Sequence, residues 1–202
     1  MAAEAPWQAL LDWWFGSAPR AGEVAAQRSS LWFGKNACED LASDERFGGL
    51  ARQALAGGLA DWAWAAPGWL ALILLLDQLP RMIFRDSPRA YAGDPRAQDL
   101  VRQGLAAGLD RQLRSIERVF VYLVLEHAED LASQDQAVAC FRQLRAQAAV
   151  DEQTLFDGYL DFAERHRAVI ARFGRFPHRN AILGRESSAE ETAFLKEPGS
   201  RF

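Results

Sequence analysis

Three short stretches hold most of the residues that could carry acid-base or anion chemistry, and each interrupts an otherwise apolar, well-packed chain. They are LLDQLPRMIFRD at 75–86, YLVLEHAEDLASQ at 122–134 and IARFGRFPHRNAILGRES at 170–187. In the first, Asp77 and Gln78 follow directly on an apolar run, and Pro80 ends or kinks the helix there by removing an amide donor. Arg81 and Arg85 stand four apart, so if helical geometry resumes after Pro80 they share a face and could grip one anion together. The plainer alternative is an ion pair between Asp77 and Arg81 or between these residues and neighbouring helices.

Read as helix, the second stretch places Glu126, Asp130 and Gln134 on one face, flanked by His127 and Glu129. Such a patch offers a carboxylate whose pKa its neighbours raise, suited to general acid or base work. Glu126, Glu129 and Asp130 could also ligate a divalent metal. Neither the ExxH of di-iron bundles nor the HExxH of zincins is present, so no metal and no cofactor is assigned.

The third stretch is the most unusual. From Glu164 to Arg185 there are six arginines and one acid, interleaved with Phe173, Phe176, His166, His178 and Asn180. Gly174 and Pro177 break the helix, so Arg172, Arg175 and Arg179 are expected on a turn, a cradle for phosphate or carboxylate.

Two functions from different classes follow, beside a purely architectural alternative. In a binding module, Arg81, Arg172, Arg175 and Arg179 floor a groove for the carboxylate or phosphate of a peptide or metabolite. The ligand set is then Asp77, Gln78, Arg81, Arg85, Glu126, His127, Arg172, Arg175, His178, Arg179 and Asn180. In an enzyme, His127 or His178 acts as general base beside Glu126 and Glu129, while the arginines stabilise developing negative charge in a hydrolytic or phosphoryl reaction. That reading requires an imidazole within about 10 Å of an arginine of the third stretch. In the architectural alternative the charges cancel: Asp77, Glu126, Glu129, Asp130 and Glu186 face Arg81, Arg85, Arg172, Arg175, Arg179 and Arg185, five against six.

The elements that must position these groups are helices. β-branched residues are scarce and no window alternates apolar and polar residues over five positions or more, so the fold class is all-α. Helices are predicted at 4–15, 36–57, 68–79, 94–107, 113–133, 134–149, 151–171 and 188–196, about eight in all. Asp94 before Pro95 reads as an N-cap, Gly108 as a C-terminal cap, and Ser187 and Ser188 stand three residues before Glu190 and Glu191 at capping-box spacing. GWLALILLLDQ is apolar all round and is expected at the centre, with antiparallel neighbours stacked about it as a bundle or a solenoid of hairpins.

Bulk properties bound the rest. The 202 residues suffice for a single domain spanning 1–202, with 198–202 a tail prone to fraying. A net charge of -4 opposes nucleic-acid binding, although the arginines and phenylalanines of the third stretch suit single strands in principle. Cys38 and Cys140 lie far apart and are expected as reduced, buried thiols. The acidic N-terminus is not a secretory signal, and the run Trp69–Leu76 is far shorter than the ~20 residues of a membrane span. A cytoplasmic protein with a small anionic ligand or peptide as partner, and no membrane contact, is expected.

WWFG at 13–16, LWFGKN at 31–36, LDQLPR at 76–81, LEHAEDLASQ at 125–134 and RFGRFPHRNAILGRES at 172–187 together make the chain similar, nearly end to end, to a bacterial family known as domain of unknown function 924. The resemblance implies a tetratricopeptide-like, right-handed stack of helical hairpins and favours the solenoid over the bundle. It implies no substrate, cofactor or catalytic residue. Members commonly carry Pro where this chain has Val124 and Ser where it has Ala128, so a serine nucleophile at 128 is excluded here.

Overall fold

A computed structural model describes residues 5–200, and every regular element among them is helical. In order these are α1 (Gln8–Phe15), α2 (Ala21–Phe33), α3 (Ala37–Leu55), α4 (Ala66–Ile73), α5 (Leu79–Ile83), α6 (Asp94–Ala106), α7 (Ser115–Glu126), α8 (Leu131–Gln147), α9 (Gln153–Phe173) and α10 (Ala189–Phe194). Short 3₁₀ turns join several of them. The predicted start of the first helix at Glu4, and Arg201 and Phe202 of the predicted tail, lie outside the described residues.

α4 and α5 run on as one buried rod through a π-turn at Leu74–Gln78. Its residues from Gly68 to Pro80 are all buried, as an all-apolar helix requires. Around the rod stand α1, α6 and α7 against α4, and α3 against the π-turn and α5. Pro80 does not end the helix. It lacks the N–H that would bond the carbonyl of Leu76, and the wider turn, in which the Leu79 N–H reaches the Leu74 carbonyl, absorbs the disruption. Gly93 then packs against the Leu76 carbonyl so closely that a Cβ at 93 would sit 2.1 Å from that oxygen.

Beyond the rod, α7 packs on α6, α8 and α9, and α8 lies along α9. One apolar core runs from α1 to α9. A separate small cluster of Val169, Ile170 and Phe176, with Phe173 and Phe194 against it, holds the C-terminal segment.

Several local expectations need correction. The helix α2 falls where none is predicted, because AGEVAAQRSSLWF carries a small, interrupted apolar stripe. The helix predicted over 113–133 breaks at 127–130, since the Asp130 carboxylate accepts the Ser133 N–H at 2.8 Å and starts α8. Glu126, Asp130 and Gln134 therefore do not share one helical face. Asp94 begins α6 rather than capping it, its carboxylate being drawn to Arg81. Ser188 caps α10 in a reciprocal box with Glu191, whereas Ser187 accepts from Asn180 instead. Cys38 is exposed at the polar start of α3, and Cys140 is half-buried.

Candidate functional site

The π-turn places a fully buried carboxylate, Asp77, in the centre of the molecule. π-turns recur at functional sites because the extra residue re-aims side chains that a regular helix would send elsewhere. Gln78 donates to Asp77 Oδ2 at 2.6 Å, and Arg81 stands one turn on, with Nη1 3.1 Å from Oδ1 and 2.6 Å from the backbone carbonyl of Asp77. The same guanidinium forks onto both oxygens of Asp94, at 2.9 Å each. Burial pushes the Asp77 carboxyl up, but Arg81 and His127 outweigh it and hold the group well below the usual carboxylate range.

His127 and Glu126 are delivered by the end of α7. Gln134, wholly buried on α8, donates Nε2 to the carbonyls of Glu126 at 2.7 Å and Ala128 at 2.8 Å, fixing the chain where α7 stops. His127 thereby presents Nδ1 to Asp77, 2.8 Å from Oδ1 and 3.0 Å from Oδ2. An ionised carboxylate only accepts, so Nδ1 carries the proton. Burial, Arg81 and Arg179 depress the pKa of His127 despite Asp77, leaving a neutral ring with its lone pair on Nε2. The ring remains partly exposed, at 16% of its side-chain surface.

Glu126 has the opposite character. It is 1% exposed, and neither carboxyl oxygen has a hydrogen-bond partner among the described residues. His166 Nδ1 comes within 3.1 Å of Oε1 but points its N–H at the Phe162 carbonyl, 2.8 Å away. Burial first, and then the charge of Asp77, raise the Glu126 pKa well above the ordinary value. Burial likewise lowers His166 to about 3 and, together with Arg179, lowers His178 to about 4. The rings of His127 and His166 lie 6.5 Å apart, and Phe176 bridges His166 and His178 at 5.6 Å to each. Two carboxyls driven apart in pKa beside neutral imidazoles are the arrangement that separates acid and base roles.

The segment after α9 closes over this cluster. Arg179 is 6% exposed and stacks on Tyr91 at 4.9 Å and Phe176 at 4.5 Å. Its Nη1 donates to the His127 carbonyl at 3.0 Å and lies 3.6 Å from Asp94. Its Nε is buried without a partner among the described residues, and burial beside Arg81 lowers its pKa to about 10. Asn180 donates to Ser187 and accepts from Arg185, a bracing role inside the segment. Glu129 is bound by both Nη atoms of Arg185, at 2.6 and 2.9 Å, and by the Phe176 N–H at 2.8 Å.

Asp77, Gln78, Arg81, Glu126, His127, His178 and Arg179 thus belong to one cluster, with Glu129 and Asn180 in the segment's own bracing. The remaining three arginines are each taken by an acid. Arg85 forks onto Asp40 at 2.7 Å, so it and Arg81 hold different carboxylates rather than one shared anion. Arg172 pairs with Glu190 at 2.9 Å, and Arg175 with both oxygens of Glu191 at 2.7 and 2.9 Å. Sequence reasoning missed Asp94 and Tyr91, which join Arg81 to Arg179. Asp94 carried a signal, a carboxylate beside Pro, but local capping explained it first. Among the described residues no three His, Cys, Asp or Glu side chains converge as a metal site. No described helix is long and apolar enough to cross a membrane.

The profile of a bacterial protein family of unknown function, DUF924, matches residues 10–199. A solved structure of a protein of unknown function from Agrobacterium tumefaciens is 37% identical, aligns over 88% of this chain and 99% of its own, and superimposes with a TM-score of 0.72. No curated protein matches the sequence.

Proposed function

The chain belongs to the DUF924 family of bacterial proteins, and on the geometry of its buried polar cluster we propose that it is an acid-base enzyme, hydrolase-like, in which His127 is the general base. The observation that carries this is the contact of His127 Nδ1 with the fully buried Asp77 at 2.8 Å. A carboxylate on Nδ1 fixes the tautomer, aims the ring and stabilises the imidazolium formed when Nε2 accepts a proton. In the proposed step Nε2 takes a proton from water as its oxygen attacks a carbonyl or phosphoryl centre, and the imidazolium then returns that proton to the leaving group. Arg179 Nη1 lies 3.0 Å from the His127 carbonyl, and its Nε, without an acceptor among the described residues, is the donor assigned to a developing oxyanion. The raised pKa of Glu126 favours its neutral form, and Asp77 and Asp94 face Arg81 and Arg179, two carboxylates against two guanidiniums.

A turnover screen with chromogenic esters, amides and phosphate esters tests the proposal. Any activity found should fall at least about 100-fold in His127→Gln, the usual contribution of a general base, and persist in Arg172→Ala. Turnover that survives in a folded His127→Gln variant contradicts it.

A second reading, binding of a carboxylate or phosphate without turnover, is favoured by the buried Arg179 Nε, which has no acceptor among the described residues. A small metabolite or peptide anion that raises the melting temperature of wild type but not of Arg179→Lys, with no product formed, would favour it over the enzyme.

A further inference from the structure

The segment between Gly174 and Gly184 bears two of the cluster's polar side chains, His178 and Arg179, yet it is held differently from the helices beneath it. Both bounding glycines adopt left-handed φ angles, +69° and +66°, with open space where a Cβ would be. Its apolar anchor is Phe176, which seats in the small cluster of Val169 and Ile170 rather than in the main core. Its polar anchors converge on Glu129, which receives the Phe176 N–H and both arms of Arg185. Glu129 and Arg185 each keep 25% of their side-chain surface exposed, so water reaches the pair from outside. From just beyond Gly184, Arg185 also donates to the Phe176 carbonyl and to Asn180 Oδ1, bracing the segment internally.

From these contacts we infer that residues 174–184 form a lid over His127, hinged at the two glycines and latched by Glu129. Opening frees Phe176 from the small cluster and its N–H from Glu129, Arg179 from the His127 carbonyl, Asp94 and Tyr91, and Arg175 from Glu191, and it leaves the main core intact. The lid carries Arg179 off the His127 carbonyl and uncovers the ring, so Glu129 is a positioning residue and performs no chemistry itself. A segment whose apolar anchor sits in a small cluster apart from the main core opens sub-globally at lower cost than that core, and lids of this kind gate access to active sites. The inference rests on the acid-base reading only for what the opened site would admit.

Hydrogen exchange of the full chain, read by mass spectrometry on wild type, Glu129→Gln and Arg185→Gln, tests it, with diethyl pyrocarbonate labelling of His127 as a second readout. Each variant should speed exchange of the 175–186 amides about tenfold, the loss of one charge-assisted hydrogen-bonded pair. Amides of α7 and α8 should be unchanged, and His127 labelling should rise. The double variant should exchange no faster than either single one, because both remove the same latch. Unchanged exchange at 175–186, or equal acceleration throughout α7, α8 and α9, would overturn the lid. Faster exchange without faster His127 labelling would overturn its placement over the site. A lid that opens as described in a protein whose turnover ignores His127 would sink the acid-base reading and leave the lid standing.

Discussion

Asp77 Oδ1 lies 2.8 Å from Nδ1 of His127, fifty positions away in sequence. One group comes from the π-turn of the central rod and the other from the C-terminal end of α7, so neither element alone predicts the contact. The carboxylate also anchors Arg81, which in turn grips Asp94 and so ties the rod to the start of α6.

Removing the charge from Asp77 should therefore cost stability as well as function. Asp77→Asn leaves Arg81 with one anion fewer and releases His127 from its tautomer. Breaking a buried pair by deleting one partner costs about 3–5 kcal/mol. Urea unfolding should show a loss of that order, and a loss below about 1 kcal/mol would mean the charge at 77 is not needed by the fold.

The pH dependence of stability separates two groups of opposite sign. Glu126 has a folded-state pKa raised above 4.5, so the folded chain binds more protons than the unfolded one above that value. Its contribution is present below about pH 4.5 and is lost as pH rises, by up to about 1.4 kcal/mol per unit until the folded-state value is reached. Glu126→Gln should remove this loss, giving a variant that gains on wild type as pH rises above about 4.5. His166 and His178 titrate at about 3 and about 4 in the fold against 6.5 when unfolded, so they destabilise the fold as pH falls below 6.5. Denaturation curves from pH 4 to 8 check both, and a pH-independent difference between Glu126→Gln and wild type would contradict the assignment.

The two neighbouring arginines of the third stretch should behave unequally. Arg172 and Glu190 are an exposed pair, and Arg172→Ala should change stability by no more than about 0.5 kcal/mol. Arg175 binds Glu191, which also closes the capping box of α10 and is held at a pKa of about 2, first by its hydrogen bond from Arg175. Arg175→Ala should lower the melting temperature and loosen α10 without altering His127. Calorimetry on the pair of variants decides, and equal effects would show that the capping link carries no weight.

Much of the helical architecture was legible because its periodicities are long and its apolar stretches unambiguous. The all-apolar run from Trp69 and the capping box at Ser188 each announce themselves through neighbouring residues. α2 did not, since small and polar residues give it little stripe. The break at 127–130 was hidden because EHAED reads on as helix until Asp130 turns back to cap α8. Which arginine meets which acid was invisible for a different reason. Arg85 finds Asp40, forty-five positions away, and Arg185 finds Glu129, fifty-six positions away, pairings that only tertiary packing selects. Asp94 shows the same limit in reverse, a local capping signal overridden by a distant guanidinium.

The most direct test of the central claim is the nitrogen-15 NMR spectrum of the His127 ring across a pH titration, assigned by loss of its signals in His127→Gln. General-base action by His127 requires a neutral ring protonated at Nδ1, a bare Nε2 and a pKa below 6.5, with the tautomer preference relaxing in Asp77→Asn. A ring carrying its proton on Nε2 at neutral pH would leave no base to act, and the assignment of His127 as general base would fail.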